Sequence, residues 1–240
     1  DYYAPFAQWL AEDRGIACLI YAYRGTDDLS PASLRRSKVT MIDWGLHDQG
    51  AALAWLRARL PDAPLRVIGH SLGGFMTMLH PDAAAVTRIT AVCAGPAWWR
   101  RAPAAERSRT FAFWHALGPG AVALNGYLPG KALGLGQNMP AGVFRDWKRW
   151  CTNRDLHMPD WGGALPRPAD PPFAGRLTLI GASDDEMIPP EVVRDLARFH
   201  PAAAAVEYRE MTPEAAGLRR LGHIGCFAPR ARALWPMIAA

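Results

Sequence analysis

At 240 residues and 26.3 kDa, with half the residues hydrophobic and a fifth charged, the chain suits one large domain carrying a substantial core, which excludes a largely disordered protein. The net charge of +5 and pI near 9.3 invite an anionic partner, yet Lys38, Lys131 and Lys148 are the only lysines and the arginines are scattered, with no run of like charge. A phosphate backbone is a dense line of charge that selects clustered cations, so no nucleic acid is expected as a partner.

In chain order, Phe6 to Arg14 puts Phe6, Trp9 and Leu10 on one side of a helix that Gly15 ends. Ile16 to Tyr23 is a continuous apolar run with aromatic residues and predicts a strand buried on both faces. Arg24 to Asp28 is a polar turn. Asp43 to Leu60 predicts a helix, with Leu46, Leu53, Leu56 and Leu60 at helical spacings, stopped by Pro61 and Pro64. Strands follow at Leu65 to Gly69 and Ile89 to Ala94, with a helix from Gly73 between them. From Gly95 to about Pro172 the character changes: Trp98, Trp99, Trp114, Trp147, Trp150 and Trp161 occur among many Gly and Pro, and no clean strand is visible. That block predicts a helical cap inserted at 96–172 in a core of 1–95 and 173–240. Its aromatic residues pack a small sub-domain and are suited to wall an apolar site. Strands resume at Arg176 to Ile180 and Ala205 to Glu210, with a helix over Glu191 to Phe199 between them. Strands alternating with longer amphipathic segments imply an α/β fold around a mostly parallel sheet with flanking helices.

The four cysteines, Cys18, Cys93, Cys151 and Cys226, show no C-x-x-C pair and no zinc spacing. Cys18 and Cys93 lie in apolar runs, which predicts buried reduced thiols and a cytoplasmic location. No apolar stretch reaches the roughly 18 residues of a membrane helix. The chain opens on Asp1-Tyr2-Tyr3, without a basic-then-apolar leader and without an initiator Met, and a fragment of a longer, N-terminally truncated protein is expected.

Gly69-His70-Ser71-Leu72-Gly73 fits G-x-S-x-G, with a predicted strand before it and a helix after it. The chemistry needs that spacing because the serine sits on a tight strand-to-helix turn, where side chains two residues away on either side would meet neighbouring backbone. The helix starting after Ser71 also aims unpaired N–H groups at the reacting carbon. A serine hydroxyl needs a base to take its proton, and the partners of such an elbow follow in the order acid, then histidine. His223, in Leu221-Gly222-His223-Ile224-Gly225, is the preferred base. His200, expected to cap a helix or face solvent, is the alternative. The acid comes from Ser183-Asp184-Asp185-Glu186, where Asp185 is preferred for its offset of four before Pro189, which is usual in related loops. Asp184 is the alternative and Glu186 a more distant one. One oxyanion donor is the N–H of Leu72; the loop that normally supplies the second has no counterpart before the first helix.

The elbow Gly69 to Gly74, Tyr2-Tyr3, Tyr21-Ala22-Tyr23-Arg24-Gly25, the Asp184-Asp185 loop ending in Pro189-Pro190, the cap segments Gly126-Tyr127-Leu128-Pro129, Arg145-Asp146-Trp147 and Arg149-Trp150-Cys151, and Gly222-His223-Ile224-Gly225 together make the chain similar to the bacterial α/β-hydrolases of the serine aminopeptidase-like branch. The resemblance covers most of the chain. It implies an α/β-hydrolase fold with a triad of Ser71, Asp185 and His223 and no metal or organic cofactor.

These readings lead to a serine hydrolase cleaving a carboxylic ester, thioester or amide of a small acyl substrate, expected to be apolar. Acyl transfer to an alcohol on the same residues is a second hypothesis, and a non-catalytic version of the fold is a third. The elbow separates the first two from the last; product analysis separates hydrolysis from transfer.

Overall fold

The computed structural model describes residues 2–102, 104–167 and 172–240. Its strands, in chain order, are β1 (Leu65–His70), β2 (Val86–Val92), the two-residue β3 (Tyr127–Leu128) and β4 (Met139–Pro140), β5 (Arg176–Ala182) and β6 (Ala205–Met211). The chain divides into two compact units, one of Asp1–Tyr21, Gln49–Gly95 and Pro168–Ala240, the other of Ala22–Asp48 and Pro96–Arg167.

The first unit holds a four-stranded parallel sheet in the order β1-β2-β5-β6. Leu, Val, Ile and Thr dominate β2 and β5, whose β-branched side chains suit a pleated surface covered on both faces, and both strands are buried over most of their length. The register brings Gly69, Ala91, Leu179 and Tyr208 level across the sheet. The carboxyl ends of all four strands therefore finish at one edge, where an open parallel sheet places its reactive loops.

On one face, the helix Ala4–Arg14 buries Phe6, Trp9 and Leu10 at the spacing read from the sequence, and Gly15 closes it in the left-handed region at φ 62°. These side chains join Val92, Ile180, Met211, Phe227, Trp235 and Ile238 in the main core. Phe6 meets Phe227 and Trp235 edge-on at 5.1 and 5.5 Å between centroids. Such pairs add about 0.5–1.5 kcal/mol each beyond their buried area.

Three expectations change. Ile16 to Tyr23 forms no strand: it runs without regular secondary structure, with Ile20 and Tyr21 37 and 39 % exposed. A strand is a pairing rather than a property of one segment, and this run joins no ladder; the Ile16 N–H closes the preceding helix on Leu10 O instead. Cys18, within it, is accordingly exposed, while Cys93 is buried as expected. The helix expected over 43–60 is two helices, Met41–Asp43 and Gln49–Arg59, joined by a π-helical turn at Trp44–Asp48. Leu53, inside the second helix, is buried, while Leu60 lies just past its end at Arg59 and is 42 % exposed.

The second unit packs Trp114, Val122, Leu128, Ala141, Phe144 and Cys151 around the helices Gly118–Asn125 and Ala141–Cys151 and the antiparallel β3–β4 pair. It also takes in residues 22–48. The buried Asp146 carboxylate accepts from the N–H groups of Met41 and Ile42 at 3.1 and 3.4 Å, and Arg35 Nε donates to Asn125 O at 2.9 Å. Residues 103 and 168–171 of the insertion expected over 96–172 lie outside the described residues. Among the described residues no helix is long and apolar enough to cross a membrane.

Candidate active site

Ser71 follows β1 and precedes the helix Leu72–Met76, with φ at 52° and ψ at −120°. A non-glycine residue at positive φ is strained by on the order of 1–3 kcal/mol and is held only by its surroundings. The holding bonds are Ser71 N–H to Val92 O and Gly74 N–H to Ser71 O, both 2.9 Å. The turn is tight enough that a Cβ at Gly69 would overlap the Gly73 carbonyl, and one at Gly74 would overlap the Ala94 side chain. Glycine at these positions is thus a steric requirement of the strand-to-helix crossing. Leu72 is the first residue of the helix, so its N–H has no acceptor one turn back.

Across the carboxyl edge of the sheet, Ser71 Oγ lies 2.9 Å from His223 Nε2, and His223 Nδ1 lies 2.8 Å from Asp185 Oδ2. An ionised carboxylate only accepts, so Nδ1 carries the ring proton and Nε2 is left to accept from the Ser71 hydroxyl. Asp185 is buried directly after β5, and its other oxygen accepts from the N–H groups of Met187 and Ile188 at 2.9 and 3.0 Å. Its neighbour Asp184 points elsewhere: its oxygens accept from the N–H groups of Leu221 and Gly222 at 2.9 and 3.0 Å. Glu186 is exposed, 3.6 Å from Arg220. The structure therefore brings Ser71, Asp185 and His223 together and turns Asp184 to the main chain of the histidine's loop.

As expected from its place before Pro201, His200 sits at the C-cap of the helical turn Asp195–Phe199, its N–H donating to Ala197 O at 3.0 Å, but its side chain does not face solvent. It is buried, packs edge-on against Phe173 at 5.6 Å, and has an Nε2 atom with no hydrogen-bond partner among the described residues. Burial pushes its imidazole down to about 4. The apolar face of the 173 segment covers it, which the local sequence does not show.

Two residues carried no role in the sequence reading yet touch the site. His70 Nε2 lies 2.8 Å from the main-chain oxygen of His223, and His70 Nδ1 lies 2.8 Å from the Tyr3 hydroxyl. Burial pushes the His70 imidazole down to about 4, and the neighbouring His223 pushes it the same way; burial likewise raises the Tyr3 phenol. The position of His70 inside the elbow was the one available signal. Beside it lie the buried thiols of Cys93 and Cys226. The Cys93 thiol is pushed up by its hydrogen bond to Cys226 and by burial. Ligand atoms of His70, Cys93 and Cys226 lie within 4.8 Å of one another, the described cluster with donors of metal-binding type, but both His70 nitrogens already have hydrogen-bond partners.

The profile described as "Alpha/beta hydrolase family" matches residues 1–233. Among solved structures, a hydrolase-like protein from Agrobacterium vitis S4 is similar at 16% identity and a TM-score of 0.58, covering 100% of this chain and 81% of that one. Polyneuridine aldehyde esterase is similar at 13% identity and a TM-score of 0.50, over 99% and 92% of the two chains. At such identities the likeness is one of fold. No curated protein matches the chain.

Proposed function

This chain belongs to the alpha/beta hydrolase family, and on that premise we propose that it is a serine hydrolase cleaving a carboxylic ester through an acyl-enzyme on Ser71. The observation that carries the reading is the pair of contacts on one imidazole, 2.9 Å to the Ser71 hydroxyl and 2.8 Å to the Asp185 carboxylate. Within the family, the elbow and cap motifs support the serine aminopeptidase-like branch.

In this mechanism Ser71 Oγ bonds to the substrate's carbonyl carbon while its proton passes to His223 Nε2. Asp185 keeps the imidazole in the required tautomer and stabilises the imidazolium. The Leu72 N–H donates to the oxyanion that forms on the former carbonyl oxygen. Collapse of the tetrahedral intermediate expels the alkoxide, which leaves as an alcohol with the proton from His223. Water then attacks the acyl-enzyme, giving its proton to His223, and the second collapse returns that proton to Ser71 as the acid departs. Esters and thioesters rank above amides as substrates because their leaving groups depart more readily. The name of polyneuridine aldehyde esterase points to the same bond class.

A fluorophosphonate probe tests the reading, since it phosphonylates only an activated serine. The expected result is stoichiometric labelling of the wild-type chain and none of Ser71→Ala. Labelling that persists in Ser71→Ala overturns it.

A further inference from the structure

The Ser71–His223 distance is a relationship between two loops that meet only by folding, and one residue touches both. His70 is joined to Ser71 through the peptide bond, while its side chain reaches the main-chain oxygen of His223 at 2.8 Å. A carbonyl oxygen can only accept, so His70 Nε2 carries the proton and donates it. In a neutral imidazole the other nitrogen is then an acceptor, and the Tyr3 hydroxyl at 2.8 Å is its donor. The direction of the chain is thereby fixed throughout: Tyr3 O–H to His70 Nδ1, and His70 Nε2–H to His223 O. Depression of the His70 imidazole by burial agrees with the neutral form this direction requires. Phe227 holds the two rings in place, edge-on to Tyr3 at 5.2 Å and 5.3 Å from the His70 ring.

We propose that Tyr3 and His70 form a positioning relay that fixes the main chain of His223 relative to Ser71, so that the imidazole stays within reach of the nucleophile. The inference rests on the serine-hydrolase reading. The other restraints on His223 act elsewhere: Asp185 orients the ring, and Asp184 holds the N–H groups of Leu221 and Gly222. At the carbonyl, His70 supplies the donor, and its ring lies 5.2 Å from the His223 ring. Since a displacement of about 1 Å in a reacting group can cost about a hundredfold in rate, one hydrogen bond at this point reaches the chemistry without touching substrate.

The test measures the fluorophosphonate labelling rate, together with kcat and KM for a short-chain p-nitrophenyl ester, on the full chain. His70→Leu removes both relay bonds and is expected to lower labelling rate and kcat about tenfold or more, with KM unchanged. His70→Gln restores an amide donor to the carbonyl and an acceptor to Tyr3, and the rate is expected to recover to within about threefold of wild type. Tyr3→Phe slows labelling severalfold when His70 is present and has no further effect on His70→Leu. That coupling is one a purely structural role would not produce. A wild-type chain that takes no label overturns the serine-hydrolase reading and the relay with it. A wild type labelled at Ser71 alongside an equally fast His70→Leu overturns the relay alone. Where His70→Leu does not fold, Tyr3→Phe and His70→Gln decide: equal rates for Tyr3→Phe and wild type, or a His70→Gln rate below a tenth of wild type, overturn the relay.

Discussion

Asp184 and Asp185 are consecutive residues whose carboxylates serve the same loop in different ways, one taking the main-chain N–H groups of Leu221 and Gly222, the other the imidazole of His223. Gly222 adopts φ 58°, which glycine takes up without steric cost, so the loop turns sharply just before the histidine, and Asp184 ties down that turn. The two acids should therefore separate by kinetics. Asp185→Asn is expected to lower kcat by on the order of 10⁴ through loss of the correct tautomer, with little change in folding. Asp184→Asn keeps one acceptor oxygen, loses the charge and is expected to cost about 1–2 kcal/mol of stability, with a far smaller fall in kcat. Ester hydrolysis and urea denaturation of both variants check this; equal losses of kcat would show that the assignment of roles is wrong.

Gly69 faces the Gly73 carbonyl with no room for a methyl group, and that residue lies one step before the histidine of the elbow. Gly69→Ala must therefore open the strand-to-helix crossing. The expected cost is about 1–3 kcal/mol of stability, together with loss of Ser71 labelling because the nucleophile moves away from His223. Gly163, whose Cβ would make an ordinary 3.5 Å contact, is the matched control in the second unit. A Gly69→Ala variant labelled at the wild-type rate counts against the elbow geometry.

In the second unit, Asp146 is buried in the helix Ala141–Cys151 and satisfies three donors, Met41 N–H, Ile42 N–H and the Arg149 guanidinium at 3.0 Å. Truncation to alanine leaves the two main-chain donors without their acceptor, at an expected cost of about 1–3 kcal/mol. The released segment is preceded by the exposed Arg35, Arg36 and Lys38, so limited trypsin digestion should cut there faster in Asp146→Ala than in wild type. Unchanged digestion would mean that the segment is held by other contacts.

The legible parts of the sequence were those whose signal is local. Short runs rich in Leu, Ile, Val and Thr gave β2 and β5, and G-x-S-x-G with its glycines gave the turn at Ser71, because in each case a few adjacent residues contain the whole physical reason. Chain order narrowed the partners of Ser71 to the acids at 184–186 and to His200 or His223; the offset before Pro189 and the glycines around 223 were the local signals that favoured Asp185 and His223. What failed depends on distant partners. Ile16 to Tyr23 has the composition of a buried strand but joins no ladder, and nothing within eight residues records that. His200 reads as a solvent-facing residue before a proline until Phe173, 27 positions earlier, is seen against it. Tyr3 and His70 are 67 residues apart, so their hydrogen bond has no sequence signature at all.

His200 also dictates how stability responds to acid. Its ordinary value near 6.5 is pushed to about 4 by burial, and its Nε2 atom lacks a hydrogen-bond partner among the described residues. Between those values the unfolded chain binds a proton that the folded chain does not, so stability falls as pH drops from about 6.5 to about 4 and levels off below. One such proton contributes a slope of up to about 1.4 kcal/mol per pH unit. His70, depressed to about 4 in the same direction, adds a second contribution of the same sign. His200→Leu deletes one titrating group and the unpaired buried nitrogen together, while an aliphatic side chain keeps the contact with Phe173. Its urea midpoint should match or exceed that of wild type at pH 7.5, and the gap should widen at pH 6 and again at pH 5. Midpoints that stay parallel across that range would mean that the imidazole takes up its proton at the same pH in the folded and the unfolded chain.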